Sequence, residues 1–293
     1  MKTQNQNKKG IIFAVTSAAI FGFMPLMTMI MFKRGINELS ATFYRFFYAS
    51  FFFYFLAVHE NKGKLSLNRI EFRKLCILSF FFVLTPILLF SSYKKIDSSM
   101  ATVLHFTYPI CILLIHSLIY RSKISLIEYV CTFTATYGIF LMADIHDVSN
   151  VTGIINALLS AATYSIYSVY LEKELKNMPP YKLCFFMVCF SAIIAFLISV
   201  FTNKLVVIND IKFTAYCIFY SLSLTVFGVM FYQKGVTYIG SRKTSMLSTL
   251  EPTVSAVVGI ALLHEIPSCR TFIAILLIII SSMSVIIKTH GTE

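Results

Sequence analysis

The sequence predicts an all-α integral membrane protein, with ten transmembrane helices arranged as two inverted five-helix repeats. Three observations predict it: a chain too poor in charge for water, a series of apolar runs of bilayer length, and a motif recurring at a fixed offset. Of the 293 residues 57% are hydrophobic and 13% charged, and the mean hydropathy is +0.78. A soluble domain carries about 25% charged residues. A surface this apolar needs lipid as its solvent.

The apolar runs supply the count of ten. Seven stretches (11–32, 75–93, 98–120, 148–171, 183–203, 213–233 and 271–287) run 17 residues or more without Lys, Arg, Asp or Glu. A bilayer core about 30 Å thick takes about 20 apolar residues of helix. Three further segments, 39–58, 124–143 and 244–263, reach that length with one charged residue each: Arg45, Glu128 and Glu251. All are continuously apolar, whereas barrel strands alternate in pieces of about ten residues. The polar stretch Met1–Gly10 reads as a tail, and the 22-residue run after it is too long for a signal-peptide core, so the first helix is expected to be retained.

Charge orients the helices. The formal net charge is +12. With the N-terminus inside, seventeen Lys and Arg fall on the cytoplasmic side, seven fall outside, and Arg45 lies within a span. This is the positive-inside bias. It places both termini in the cytoplasm of a cell (inner) membrane and reads the basic balance as orientation and lipid contact, with no nucleic-acid partner. Cys76, Cys111, Cys131, Cys184, Cys189 and Cys217 fall in spans and Cys269 in an outer loop; no metal-ligand spacing occurs. Packing is the expected role of these thiols.

The repeat divides the chain. Gly10-Ile-Ile-Phe-Ala-Val-Thr-Ser-Ala-Ala19 matches Gly153-Ile-Ile-Asn-Ala-Leu-Leu-Ser-Ala-Ala162 at seven of ten positions, at an offset of 143. The same offset carries Ile96 onto Ile239, Ser98 onto Ser241 and Pro109 onto Pro252. Two repeats follow, 1–147 and 148–293, each with five spans. Five is odd, so the second enters the membrane from the opposite side. Inverted repeats recur in secondary transporters, with the substrate site at their interface near mid-membrane.

The stretch Gly240-Ser-Arg-Lys-Thr-Ser-Met-Leu-Ser-Thr-Leu-Glu-Pro252, running through Gly259 to Leu263-His-Glu265, resembles the EamA-type proteins of the drug/metabolite transporter superfamily. Ile96–Pro109 is its first-half counterpart, and Arg45-Phe46 resembles a dipeptide often seen in the second span of that family. Two features depart from the pattern: Arg121-Ser122-Lys123 stands where a Glu would close the fourth span, and the chain has 29 Phe and no Trp. The resemblance implies a secondary transporter moving a small organic metabolite or drug-like solute by alternating access, driven by protons or exchange, alone or as a homodimer. A flippase for lipids or amphiphiles on the same fold is the alternative. An intramembrane enzyme is a weaker one, since no His-Glu-x-x-His, Gly-x-Ser-x-Gly or phosphate-binding loop occurs. No cofactor or metal is expected.

Glu251 leads the candidate site residues. It lies about 4 Å from the middle of its span at 1.5 Å rise per residue, a depth at which ionisable groups face the interior or a wet cavity. A carboxyl there can exchange a proton, hold a cationic amine, or serve as one member of a structural pair. Arg45 can grip an anionic group, but snorkelling to the outer headgroups or a structural pair is the favoured reading. Tyr108, the repeat mate of Glu251, stands with His105 before Pro109; Tyr164, Tyr167 and Ser168 share one face of the sixth span. Such aromatic-hydroxyl faces suit organic solutes and plain packing alike. Pro25, Pro86, Pro109 and Pro252 are the candidate hinges or cavity walls, each freeing a carbonyl four residues earlier. Ala18, Ala19, Gly22, Ala161, Ala162 and Ser165 are expected to let the first and sixth helices approach closely. Asn150-Val-Thr152 matches a glycosylation triplet.

Overall fold

A computed structural model describes residues 2–62, 64–142, 150–263 and 268–291. Among these residues there are helices and no strands. The α-helices are α1 (Lys2–Phe21), α2 (Met24–Lys33), α3 (Glu38–Glu60), α4 (Arg69–Ser92), α5 (Ser98–His105), α6 (Tyr108–Leu114), α7 (Leu126–Met142), α8 (Val151–Tyr170), α9 (Pro180–Phe201), α10 (Ile211–Ser221), α11 (Met230–Ser248), α12 (Leu250–Leu263) and α13 (Cys269–Gly291). Wider π-helical turns follow three of them, at Ile115–Ile119, Leu171–Leu175 and Leu222–Val229. Among the described residues eight helical stretches are long and apolar enough to cross a membrane, and Leu126–Met142 and Leu250–Ala261 are shorter apolar helices.

Three of the expected continuous spans are broken instead. The first breaks at Gly22–Phe23, the fourth at Phe106–Thr107 and the ninth at Thr249. In each case a proline follows at once, Pro25 and Pro109 at the second residue of the new helix and Pro252 at the third. The physical reason is local: the first turn of a helix has N–H groups without intrahelical acceptors, so proline costs nothing there, whereas in the interior it deletes a bond. Pro86 alone of the four stays inside an unbroken helix, α4. A fourth interruption lies within α11, where Gly240 takes φ 82° and ψ 162°. Only glycine adopts such a backbone without strain. It separates the helix arriving from Ile211 from the stretch Ser241–Ser248, which leads across Thr249 into α12.

The expected polar tail is also revised, since α1 begins at Lys2. Lys, Gln and Asn are neutral to good helix formers, and nothing in that stretch stops a helix. Cys269 is exposed and opens α13 rather than lying in a loop. Asn150 caps α8 by accepting from the Gly153 N–H, which gives the glycosylation triplet a structural use.

Packing follows the repeat offset. The principal helix pairs are α3 with α9, α1 with α11, α8 with α4, and α7 with α13. The expected close approach of the first and sixth helices is not found: α1 packs chiefly on α11 and α8 on α4, while the small residues Gly22 and Ser165 meet α12 and α6. A β-carbon at Gly10 would stand 2.6 Å from Ile239 Cγ2 and 2.8 Å from Tyr238 Cβ. One at Gly153 would stand 2.8 Å from Ile96 Cγ2 and 3.0 Å from Lys95 Cβ. Every partner in the second contact is the first contact's partner shifted by 143. Likewise a β-carbon at Gly22 would lie 3.0 Å from the Glu251 carbonyl oxygen, and its mate Ser165 donates to the Tyr108 carbonyl at 3.1 Å. Each half thus grips the other through equivalent positions. The outward faces of α3, α7 and α13 carry exposed Phe55, Leu126, Phe133, Ile273 and Leu276, a surface that water would not tolerate.

Candidate functional site

Three of the four helix breaks, those just before Pro25, Pro109 and Pro252, meet at one place within the bundle. A cavity there encloses about 570 Å³ of atom-free space, its mouth included, and Arg45, Pro86, His105, Tyr108, Tyr164, Tyr167 and Glu251 line it. Seven of the residues expected from sequence therefore share one space, contributed by α3, α4, α5, α6, α8 and α12. Phe21, Met24, Phe46, Phe82, Thr85 and Tyr232 complete most of the wall. An adjoining space of about 300 Å³ shares Phe21, Met24, Leu89, His105 and Glu251 and continues past Pro25 and Pro252 to Tyr93 and Thr102. Pro109 is buried and lines neither.

Arg45 does not snorkel. It is 5% exposed, its Nε donates to Thr225 Oγ1 at 3.0 Å, and its guanidinium carbon lies 5.7 Å from the ring centres of both Phe21 and Phe46. The reason is the face of α3 on which it sits, turned toward the π-helical segment Leu222–Val229, where Thr225 offers a buried hydroxyl. Ser221 just before that segment donates to the Arg45 carbonyl, fixing the backbone from which the side chain projects. The planar cation thus lies near two aromatic rings, is hydrogen-bonded, and lines the cavity.

Glu251 has no comparable support. Among the described residues its carboxylate has no ion pair and no hydrogen bond, and Arg45 is the cation acting on it across the cavity. An ionisable group at such depth without a fixed partner is expensive. The structural-pair reading of Glu251 thus finds no contact partner among the described residues.

An aromatic shell joins the two charges. Tyr108 and Tyr164 meet edge to face with centres 4.7 Å apart, Tyr164 stands 5.3 Å from Tyr232, and Phe82 stands 4.9 Å from Tyr167. Edge-to-face pairing holds rings in place through their quadrupoles. His105 shares a hydrogen bond of 2.9 Å with Ser160 Oγ, and its ring packs on Tyr108 and Tyr164. Tyr232 pairs with Ser168 at 2.7 Å, and Gln233 donates to the Tyr167 hydroxyl at 3.2 Å. The Tyr108 hydroxyl is buried without a well-formed hydrogen bond, although Ser248 stands near it. Sequence reasoning missed Tyr232, Gln233 and Thr225. Gln233 left a legible signal, since an amide inside an apolar run marks a helix contact.

Among the described residues no group of three or more His, Cys, Asp or Glu is placed to hold a metal ion. His264 and Glu265, quoted for the sequence resemblance, lie outside the described residues.

The EamA-like transporter family matches this chain twice, over residues 8–143 and 151–287. The chain belongs to that family. Two curated relatives agree with the assignment. A protein of Archaeoglobus fulgidus described as an uncharacterized transporter is 21% identical over 277 residues, covering 92% of this chain and 95% of its own. The uncharacterized transporter YxxF of Bacillus subtilis is 26% identical over 190 residues, covering 62% and 60%. A crystal structure with 16% sequence identity superposes with a TM-score of 0.77 over 98% of this chain and 99% of its own, which shows a shared fold. This EamA-like protein is therefore an integral membrane transporter, its two family matches falling on either side of residues 144–150.

Proposed function

We propose that the chain is a secondary transporter that binds a small organic solute in the central cavity and releases it on the other side by alternating access, driven by protons or by exchange. Ten spans form two inverted repeats, 1–147 and 148–293, with both termini in the cytoplasm. The exchanged contacts of Gly10 with Ile239 and of Gly153 with Ile96 support a two-fold relation between the halves. The charge bias of the loops supports the orientation. Pro25, Pro86, Pro109 and Pro252 act as hinges or walls around the site.

The observation that carries this reading is the Glu251 carboxylate, unpaired by contact in a cavity walled by Tyr108, Tyr164, Tyr167 and His105 and facing a supported Arg45. Pockets for organic solutes combine apolar walls with a few placed polar groups. Glu251 supplies the group that takes a proton or an amine during the cycle. Arg45 supplies fixed positive charge, and the rings bind the body of the solute.

Thermal-shift screening of metabolites against the purified protein identifies the solute, because a ligand raises apparent stability by mass action. Uptake of that solute into proteoliposomes is then compared for wild type and Glu251→Gln across a range of pH, at matched amounts of folded protein. The expected result is saturable uptake that depends on a pH gradient or on counter-solute in the wild type and falls to background in the variant. Equal rates with equal pH dependence would make Glu251 structural. Non-saturating flux would replace a carrier with a channel.

A further inference from the structure

Beyond one end of the cavity lies a cluster of polar side chains that line neither it nor the adjoining space. His116 lies eight residues beyond Tyr108, Glu172 five beyond Tyr167, and Ser241 ten before Glu251. At 1.5 Å per residue each is displaced by about 8–15 Å along its helix, and the three meet. Glu172 Oε2 accepts from the Ser241 N–H at 2.8 Å and from Ser241 Oγ at 2.5 Å. His116 Nε2 stands 3.0 Å from Ser241 Oγ and 3.4 Å from Glu172 Oε2. The open space runs the other way, toward Tyr93 and Thr102.

We infer that Glu172, His116 and Ser241 form a polar latch that closes the central cavity at its Gly240 end and must open for solute to pass that way. The inference rests on the transporter reading and adds which end is shut and by what. Four features support a latch over ordinary packing. It crosses between the halves, His116 belonging to the first and the other two to the second. It caps the stretch Ser241–Ser248, which leads across Thr249 into the helix that carries Glu251: the turn at Gly240 leaves the Ser241 N–H without an intrahelical acceptor, and a carboxylate at a helix start is favoured by the dipole. It is incompletely satisfied, because His116 is 2% exposed and its Nδ1 is buried with no hydrogen-bond partner among the described residues. An unpaired buried polar atom weakens the closed state, as suits a contact that has to break.

The fourth feature is asymmetry. Shifted by 143, Glu172 becomes Met29, His116 becomes Gly259 and Ser241 becomes Ser98. Neither methionine nor glycine can accept from an N–H through a carboxylate, so this arrangement cannot be repeated at the opposite end. His116 and Glu172 also sit in the π-helical turns Ile115–Ile119 and Leu171–Leu175, a geometry concentrated at functional positions.

The test reads access to the cavity and needs no solute. Thr85 lines the cavity, and Thr85→Cys serves as reporter. The protein is oriented in vesicles, and an impermeant thiol reagent is applied to each face in turn. The modified peptide is quantified by mass spectrometry, so the native cysteines stay in place. Adding Glu172→Gln is expected to speed labelling from the Gly240 face about tenfold, the effect of losing a charge-assisted hydrogen bond on an opening equilibrium. From the other face it should bring no increase. Ser241→Ala, which removes one of the two hydrogen bonds to Glu172, should act in the same direction and more weakly, and it stands in if Glu172→Gln does not fold. Unchanged labelling from the Gly240 face in the folded variants, or an equal gain from both faces, would overturn the latch. Faster labelling in a protein that transports nothing would leave the latch standing and remove the transporter reading.

Discussion

At the same place in the repeat, one half of the molecule breaks its helix just before Tyr108-Pro109 and the other just before Glu251-Pro252. The backbone contacts are duplicated: the Tyr108 carbonyl accepts from Ser165, and the Glu251 carbonyl lies against Gly22, the repeat mate of Ser165. The side chains are not duplicated. Tyr108 is packed edge to face on Tyr164, whereas the Glu251 carboxylate reaches the cavity without a contact partner. The lesson is a division of labour within one residue. The main chain at this position holds the halves together, so the side chain is released from that duty and differs in chemistry between them.

The sharpest way to break this comparison is Glu251→Gln. If the side chain carries function and the main chain carries structure, uptake falls to background while the melting temperature stays within a few degrees of wild type. A large fall in melting temperature would show that the carboxylate also holds the fold. The glycine contacts come next. Gly10→Leu and Gly153→Leu each force a side chain into a space already filled, and overpacking costs about 1–3 kcal/mol. Because the two sites make equivalent contacts, the two losses should agree within a factor of about two, measured by chemical denaturation in micelles. A twofold relation that failed in energy would appear as one tolerant site.

Arg45→Lys probes the supported charge. Lysine keeps the positive charge and loses the planar stacking on Phe21 and Phe46 and the Nε bond to Thr225, so stability is expected to fall by about 1–2 kcal/mol. Solute affinity should fall with it in the thermal-shift titration. The smallest effect separates the helix starts. Asn150 caps α8, while Asn7, 143 residues earlier, lies inside α1. Asn150→Ala should cost about 1 kcal/mol, read from the same chemical denaturation in micelles.

Much of this arrangement was legible in the sequence, and the rest failed for identifiable reasons. Apolar length located the helices, because bilayer solvation leaves few other options for such runs, but not their pairing: the contact expected between the first and sixth helices is replaced by α1 with α11 and α8 with α4. Glu251 was singled out by depth, Tyr108 as its repeat mate, His105 by its place before Pro109, and Tyr164 and Tyr167 by a shared helix face, and all five line the cavity. The orientation of Arg45 was not found, because snorkelling and inward burial differ only in which face of α3 meets Thr225, 180 residues away. The same holds for Tyr232 and Gln233, whose partners Ser168 and Tyr167 lie far off in the chain. Gly240 was read as a family feature, but its positive φ could be known only from coordinates. The helix breaks were half legible: prolines marked three of them, and only the structure placed Pro25, Pro109 and Pro252 after a break, left α4 unbroken at Pro86 and added a break at Gly240.

One consequence of the facing Arg45 and Glu251 concerns membrane voltage. A charge crossing the full potential gains or loses about 2.3 kcal/mol per 100 mV. With both groups ionised, the empty site carries no net charge, and the two-fold exchange of the halves around it does no electrical work. With a proton on Glu251 the site carries one positive charge, and the same exchange is pulled by a negative interior. For a carrier working as proposed, voltage then acts on the protonated step and leaves the unprotonated return step alone.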